Sequence, residues 1–181
     1  MKLNDSTRQF ILHWGEMGTR WGVNRTVAQV HALLYLSPES LTAEDISETL
    51  SVARSNVSTS LKELQNWNLV QIESKMGDRR DFFQTSADVW TLFLTVVEQR
   101  VEREIIPTLN MLRRCAGEVQ ADGTAQPVIA ARITAMQVFL EQLYNWYTEI
   151  RRLPPASMRS LFSIGSGITR ILPKVRRRRL D

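Results

Sequence analysis

The sequence predicts a mainly α-helical protein with one small β-hairpin and long helices in its second half. Two features of residues 41–85 carry this prediction: a pair of helical segments separated by a three-residue break, and two strand-like segments around a turn. A third observation is the helical periodicity of apolar residues that continues after residue 87. Helix, turn, helix and hairpin, in that order, predict a winged helix-turn-helix domain over residues 1–86. Residues 87–181 then form a helical dimerisation region with a basic C-terminal tail.

Residues 4–36 predict two helices that pack in the core and carry no chemistry. In the first helix, apolar side chains recur at helical spacing: Phe10, Trp14, Met17 and Trp21. Gly22 and Asn24 indicate a helix stop and a new start. A second apolar stripe runs on until Ser37 and Pro38 end it.

The helix-turn-helix prediction rests on a cap, a break and a periodic stripe. Thr42 and Asp45 have the spacing of a capping box, in which each side chain satisfies a free backbone N–H at a helix start. Residues 51–53 form a break short enough for a tight turn. A second helix is expected from Arg54 to about Trp67, with its inward face built from apolar residues at i, i+4 and i+7: Val57, Leu61 and Leu64.

The outward face of this second helix predicts DNA contacts, because its side chains are short, polar and almost free of acid. Arg54 and Asn56 are suited to guanine and adenine edges in the major groove. Four others are suited to phosphate oxygens: Ser55, Ser58, Thr59 and Lys62. The alternative is a merely solvated helix, which would more often carry Glu and Lys, since Ser and Thr are poor helix formers.

A wing follows directly. Residues 69–73 and 82–85 predict strands around a turn at residues 76–78. Arg79 and Arg80 lie at the tip, where they are expected to enter a minor groove. The acidic residues on either side of this pair leave open a local ion pair worth under about 1 kcal/mol.

Charge does not by itself identify a DNA-binding surface. The net charge of the 181 residues is +4, yet up to Ser86 there are nine basic and ten acidic residues. The positive excess lies in the second half and peaks at Arg176–Arg179. The near-neutral first half therefore leaves open a winged-helix module for protein or RNA contacts, which would bind no duplex specifically.

No enzyme class fits the sequence. It contains none of the common nucleotide-binding, hydrolase or metalloprotease motifs, and no cofactor or metal is expected. Cys115 is the single cysteine and is expected to be a buried thiol. His13 and His31 lie on apolar helices, where structural roles are expected. No export signal and no apolar run of membrane-spanning length is present, so a cytoplasmic protein without membrane insertion is expected.

The second half predicts two long helices. One covers residues 87–120, with Pro107 expected to kink or end it, and residues 121–124 are expected to form a loop. The other carries a heptad-like seam: Ile129, Ile133, Met136, Leu140, Leu143, Tyr147 and Ile150. Such a seam needs a partner helix, either within the monomer or in a second copy of the chain. A homodimer, which fits a DNA-binding unit better, would set two recognition helices one DNA turn apart on a pseudo-palindromic operator.

Three alternatives stay open for the C-terminal segment. Apolar residues between Met158 and Leu172 predict a short amphipathic helix, which the arginine run follows. It is expected to pack in the dimer with a disordered tail. Contacts of the tail with DNA phosphates, or with an anionic membrane surface, are the other two alternatives.

The helix-turn-helix and wing residues resemble a known family. Residues 41–58, the Leu61-Lys62-Glu63-Leu64 segment and Gly77-Asp78-Arg79-Arg80 resemble the MarR-type winged-helix regulators. Residues 65–70 and 104–109, with Trp14-Gly15 and the segment 22–26, are similar to the GbsR subgroup. The resemblance covers roughly residues 10–115. Two departures are Ser51 at a turn position often held by glycine, and Ala53 at a helix cap often held by serine.

The resemblance implies a cytoplasmic homodimer that binds an operator and usually represses, with release by a small-molecule effector in some members. The GbsR subgroup is associated with quaternary-ammonium osmolytes, and such cations bind aromatic faces. Trp14 and Trp21 are the candidate effector residues. With Tyr144, Trp146 and Tyr147 they would form an aromatic cage, although aromatics at helical spacing more often belong to a core.

Overall fold

The computed structural model describes residues 3–122, 126–154 and residue 157. The chain divides into two compact units, residues 1–99 and 100–181. The predicted fold class, mainly helical with a small hairpin, is confirmed. The helices and strands of the first unit are α1 (Asp5–Arg20), α2 (Arg25–Leu36), β1 (Leu41–Thr42), α3 (Ala43–Leu50), α4 (Arg54–Asn66), β2 (Gln71–Ser74), β3 (Asp81–Gln84) and α5 (Val89–Arg100). The predicted domain boundary after Ser86 lies before α5, whose Leu92 packs against the core of this first unit.

Asparagine side chains cap the starts of α1 and α2, but the buried face of α1 lies about 100° around the helix from the predicted stripe. Asn4 accepts from the backbone N–H of Thr7, and Asn24 from that of Thr26, each at 2.8 Å. The buried face of α1 consists of Ile11, Gly15 and Gly18. The helix packs closely on α2, since a methyl group at Gly18 would lie 2.5 Å from Cβ of Ala28. The aromatic stripe that was predicted to pack is instead exposed within this unit: Phe10, Trp14 and Trp21.

The helix-turn-helix is confirmed in detail. Thr42 Oγ1 accepts from the backbone N–H of Asp45 at 3.2 Å, and Asp45 Oδ2 accepts from that of Thr42 at 2.9 Å, so the capping box is closed. The Thr42 hydroxyl, which donates to Asp45 Oδ2 at 2.6 Å, and the Thr42 backbone N–H together lower the pKa of the Asp45 carboxyl. After α3, Ser51 adopts a left-handed conformation with φ 54°. The left-handed residue ends α3 and sets the start of α4.

Ser51→Gly is expected to stabilise the fold by about 0.5–1 kcal/mol. A left-handed conformation costs a residue with a Cβ roughly 1–2 kcal/mol, and the larger entropy of unfolded glycine offsets part of this gain. Urea unfolding followed by circular dichroism measures the difference. Ser55→Gly, inside helix α4, is the matched control and should destabilise. Equal stability of Ser51→Gly and wild type would contradict a strained turn.

The sheet has one strand more than the sequence predicts. Its order is β1-β3-β2, with both pairs antiparallel. The hairpin is confirmed, with Ile72 opposite Phe83 and Glu73 opposite Phe82. The additional strand β1 places Leu41 opposite Phe83, so the wing is tied to the segment just before α3.

His31 on α2 is buried beneath the wing. Its Nε2 lies 3.4 Å from Thr85 Oγ1, and the Thr85 hydroxyl donates to the carbonyl of Leu69 at 2.6 Å. Burial lowers the pKa of His31 from 6.5 to about 4. His31 therefore contacts Thr85 at the base of the wing, which agrees with the structural role expected for it.

Stability is expected to fall as the pH drops from about 6.5 to about 4. The unfolded chain binds a proton at His31 near pH 6.5, whereas the folded chain does so only near pH 4, so this stability is complete above 6.5 and is lost on acidification. The loss is about 3 kcal/mol at most. Denaturation of His31→Gln at several pH values should show a flatter profile over this range. His13→Gln, on the exposed side of α1, is the control, and an unchanged profile in His31→Gln would contradict the assignment.

In the second unit, the helix continues past Pro107, where the sequence predicts a kink or an end. A π-helical turn (Val101–Ile105) precedes α6 (Ile106–Asp122), and Pro107 is the second residue of α6. Pro107 has no N–H to donate to the preceding turn, and the helix is widened just before it, where the Ile106 N–H donates to the Val101 carbonyl. The expected loop at 121–124 is wrong for its first two residues, because α6 extends to Asp122.

Helix α7 (Pro127–Arg151) carries two apolar stripes rather than one seam. Ile133, Leu140 and Tyr147 are half-buried, on the side from which Glu141 binds Arg113 of α6 at 2.8 Å. The other stripe, the α7 outer seam, is exposed in this unit: Ile129, Met136, Phe139, Leu143 and Trp146. The predicted heptad mixes the two stripes and omits Phe139 and Trp146.

The predictions for the segment between Met158 and Leu172, and for the arginine run, lie outside the described residues. Among the helices that the structure describes, none is both long and apolar enough to cross a lipid bilayer.

Candidate nucleic-acid interface

Helix α4 turns a polar face outward, as the sequence predicts. Val57, Leu61 and Leu64 are at most 2% exposed, which fixes the rotation of the helix about its axis. All six predicted contact residues of the helix are exposed: Arg54, Ser55, Asn56, Ser58, Thr59 and Lys62. Glu63, the one acidic residue of α4, is half-buried. The outward face is therefore positive and rich in hydrogen-bonding groups.

The N-terminus of α4 has no side-chain cap. Ala53 occupies the N-cap position and makes no side-chain hydrogen bond there. The first turn of a helix has free backbone N–H groups and a positive end of the helix dipole. Uncapped N–H groups beside Arg54 favour a phosphate oxygen at this end of the helix.

The core that holds α4 also holds the wing. Phe83 of β3 belongs to the same buried cluster as Val57, Leu61 and Leu64. Since β3 is the central strand of the sheet, the hairpin and the helix are fixed to one support. The two predicted contact elements thus keep a defined spacing.

The two arginines of the wing tip differ in their contacts, and the sequence did not predict this difference. Arg80 Nη2 lies 2.6 Å from Asp78 Oδ2, and the backbone N–H of Arg80 donates to Asp78 Oδ1 at 3.0 Å. These hydrogen bonds lower the pKa of Asp78 to about 2. Arg79 is exposed, and within the described residues it has no hydrogen bond or ion pair. The local ion pair left open by the sequence is thus present for Arg80.

Two cations also cover Phe82. Lys75 Nζ lies 4.3 Å from the centre of its ring, and the Arg80 guanidinium carbon lies 5.5 Å from it. Gly77, with φ 83°, supplies the left-handed residue that the turn between β2 and β3 needs. Lys75, which is not among the residues predicted to contact DNA, adds positive charge to the wing. Its position just before the turn is the feature of the sequence that could have indicated it.

Of the predicted effector residues, Trp14 and Trp21 are exposed, whereas Tyr144 and Tyr147 are half-buried. On α1, Trp14 stacks on Phe10 with ring centres 5.5 Å apart, while Trp21 is more than half exposed. On α7, Tyr144 and Tyr147 lie 6.5 Å apart. The structure shows aromatic faces open to a ligand, and the cage remains a prediction.

No metal site is formed in the part of the chain that the structure describes. No three His, Cys, Asp or Glu side chains there come together as metal ligands. Cys115, expected to be buried, is half-buried, with its Sγ 3.6 Å from the sulfur of Met111 one helical turn away.

Comparisons with known proteins agree with this geometry. The MarR family model matches residues 21–81, from the end of α1 to the first residue of β3. The HTH-type transcriptional repressor GbsR of Bacillus subtilis (strain 168) is 24% identical over 100 residues, and the match spans 55% of each chain. The HTH-type transcriptional repressor OpcR of the same organism is 19% identical over 137 residues, 74% of each chain.

One solved structure shows the fold. The crystal structure of a transcriptional regulator superposes with a TM-score of 0.63 at 19% identity, over 80% of this chain and 94% of that one. By their names, this structure and the two repressors are transcriptional regulators. Residues 21–81 are therefore similar to the MarR family, and they fold as a winged helix.

Proposed function

We propose that this protein is a sequence-specific DNA-binding repressor that acts in the cytoplasm as a homodimer. The observation that carries the proposal is the outward face of α4, where Arg54, Asn56 and Lys62 are exposed beside short hydroxyl side chains. A helix with such a face enters the major groove, and the wing then reaches the neighbouring minor groove. Repression and a GbsR-type role are supported by the names of the matched relatives.

A selection experiment tests this proposal directly. Purified protein is incubated with a random duplex library, and the retained DNA is sequenced. The expected product is an inverted repeat whose half-sites lie about one helical turn, or 10 base pairs, apart. Enrichment of no sequence over the input would contradict specific binding and favour the protein or RNA module.

Dimerisation is supported by the α7 outer seam. In soluble proteins a contiguous apolar stripe of this length is normally covered. A second copy of the chain supplies an identical stripe, so the two seams can pack against each other about a two-fold axis. The proposed dimer presents two α4 helices to DNA.

We also propose that a small cation with a quaternary ammonium group releases the operator by binding the aromatic residues Trp14 and Trp21. Their exposed rings offer the π faces that such cations bind. Titration with choline chloride should quench tryptophan fluorescence and weaken operator binding, whereas potassium chloride at equal ionic strength should not quench. Identical quenching by both salts would exclude this effector class.

Asp78→Asn is expected to strengthen binding to all duplexes several-fold. The substitution removes a negative charge from the wing and frees Arg80, while the amide oxygen still accepts from the backbone N–H of Arg80. One added phosphate contact steepens the dependence of log affinity on log salt by about one. Filter binding between 50 and 300 mM salt measures the slope. Glu73→Gln, a charge removal on β2, is the control, and an unchanged slope in Asp78→Asn would contradict the release of Arg80.

A further inference from the structure

Met76 has the most exposed large apolar side chain among the described residues, at 106%. It lies in the turn of the wing, immediately before Gly77, whose φ of 83° lets the chain reverse. Single exposed apolar residues are common on protein surfaces. The position of Met76 distinguishes it, because it stands at the end of a projecting hairpin, next to Lys75 and three residues before Arg79.

Three other side chains of the tip, Asp78, Arg80 and Lys75, make contacts within the wing. Asp78 binds both the guanidinium and the backbone N–H of Arg80, and Lys75 lies over the ring of Phe82. Two side chains are left to project from this framework, Met76 and Arg79. The tip therefore presents one apolar group and one cation on a rigid turn.

This pair matches the chemistry of the minor groove. An arginine is drawn to the negative potential of a narrow groove, and an apolar side chain beside it can enter between base pairs, unstack them and kink the duplex by 20–90°. We propose that Met76 acts as a wedge in the minor groove and bends the operator where the wing contacts it. The unbranched thioether of methionine suits this role, because it is apolar and adapts its shape.

The wedge also adds a sequence preference outside the bases that α4 contacts. Pyrimidine–purine steps such as TA unstack most easily, so insertion is cheapest there. Met76 would then select such a step in each half-site without a hydrogen bond to it. The proposal rests on the proposed DNA binding, and its test separates the two.

The test uses the duplex recovered by selection with the wild-type protein, labelled at both ends with a fluorescence donor and acceptor. Wild-type protein should raise energy transfer by bending this duplex. Met76→Ala and Met76→Gln should bind it several-fold more weakly and bend it less, while Met76→Leu should restore both. Ser74→Ala, an exposed position on the same hairpin, is the control and should behave as wild type. Because Met76 is fully exposed, thermal unfolding of the variants should match that of wild type.

A second arm replaces the TA or CA step nearest the wing by AA. Wild type should lose several-fold in affinity, whereas Met76→Ala should lose little, since it no longer unstacks the step. Unchanged bending and affinity in Met76→Ala, or equal losses from the step change in both proteins, would overturn the wedge. Failure of the wild-type protein to select any duplex would instead overturn the proposed function itself.

Discussion

Phe139→Glu is expected to turn the protein into a monomer and to weaken binding to a two-half-site operator about 100-fold or more. Phe139 lies in the middle of the α7 outer seam and is 58% exposed in the single chain. The carboxylate would be buried against an identical carboxylate in the proposed dimer, which costs far more than leaving it in water. With one half-site engaged at a time, the gain from linking two recognition helices disappears.

Sedimentation equilibrium and operator titration measure the two effects in the same preparation. Asn145→Glu adds the same charge at an exposed position of α7 outside the seam and should stay dimeric. Because Phe139 is exposed in the single chain, the helical circular dichroism signal of Phe139→Glu should survive. A dimeric Phe139→Glu with full operator affinity would show that another surface holds the copies together.

Arg54→Ala and Asn56→Ala are each expected to cost about 1–3 kcal/mol on the selected operator and much less on a scrambled duplex. Both side chains are exposed on the first turn of α4, where bidentate hydrogen bonds to guanine or adenine discriminate between bases. Alanine favours the helix, so the fold should not suffer.

Lys62→Ala provides the contrast, since a phosphate contact carries no sequence information. It should weaken both duplexes alike and reduce the salt slope by about one. Dissociation constants for the three variants on both duplexes decide the matter. Equal losses of Arg54→Ala on selected and scrambled DNA would reassign Arg54 to the backbone.

The helix-turn-helix was predictable because its signals are local. The capping box at Thr42 and Asp45 and the i, i+4, i+7 stripe of α4 each act within one turn of helix, where sequence and geometry are directly linked. The two-residue strand β1 was not predictable. It is made by backbone pairing with Phe82 and Phe83, and two residues have no side-chain period to detect.

The predictions of which helix face is buried were wrong for a different reason. Periodicity locates an apolar stripe but does not say what covers it. On α1 the aromatic stripe is exposed because Gly15 and Gly18, which have no apolar side chain to count, allow close packing on α2. On α7 the spacing of three and four fits two neighbouring stripes equally well, and only the position of α6 separates them.

Thr42 belongs to two elements at once. Its backbone lies opposite Phe82 in the sheet, and its hydroxyl closes the cap of α3. It is also 3% exposed, so little room remains for it to move. The hairpin therefore cannot tilt unless the start of α3 moves with it. In the proposed complex, the distance between α4 and the wing would therefore be fixed. A duplex whose groove widths do not match this distance would have to deform in order to bind.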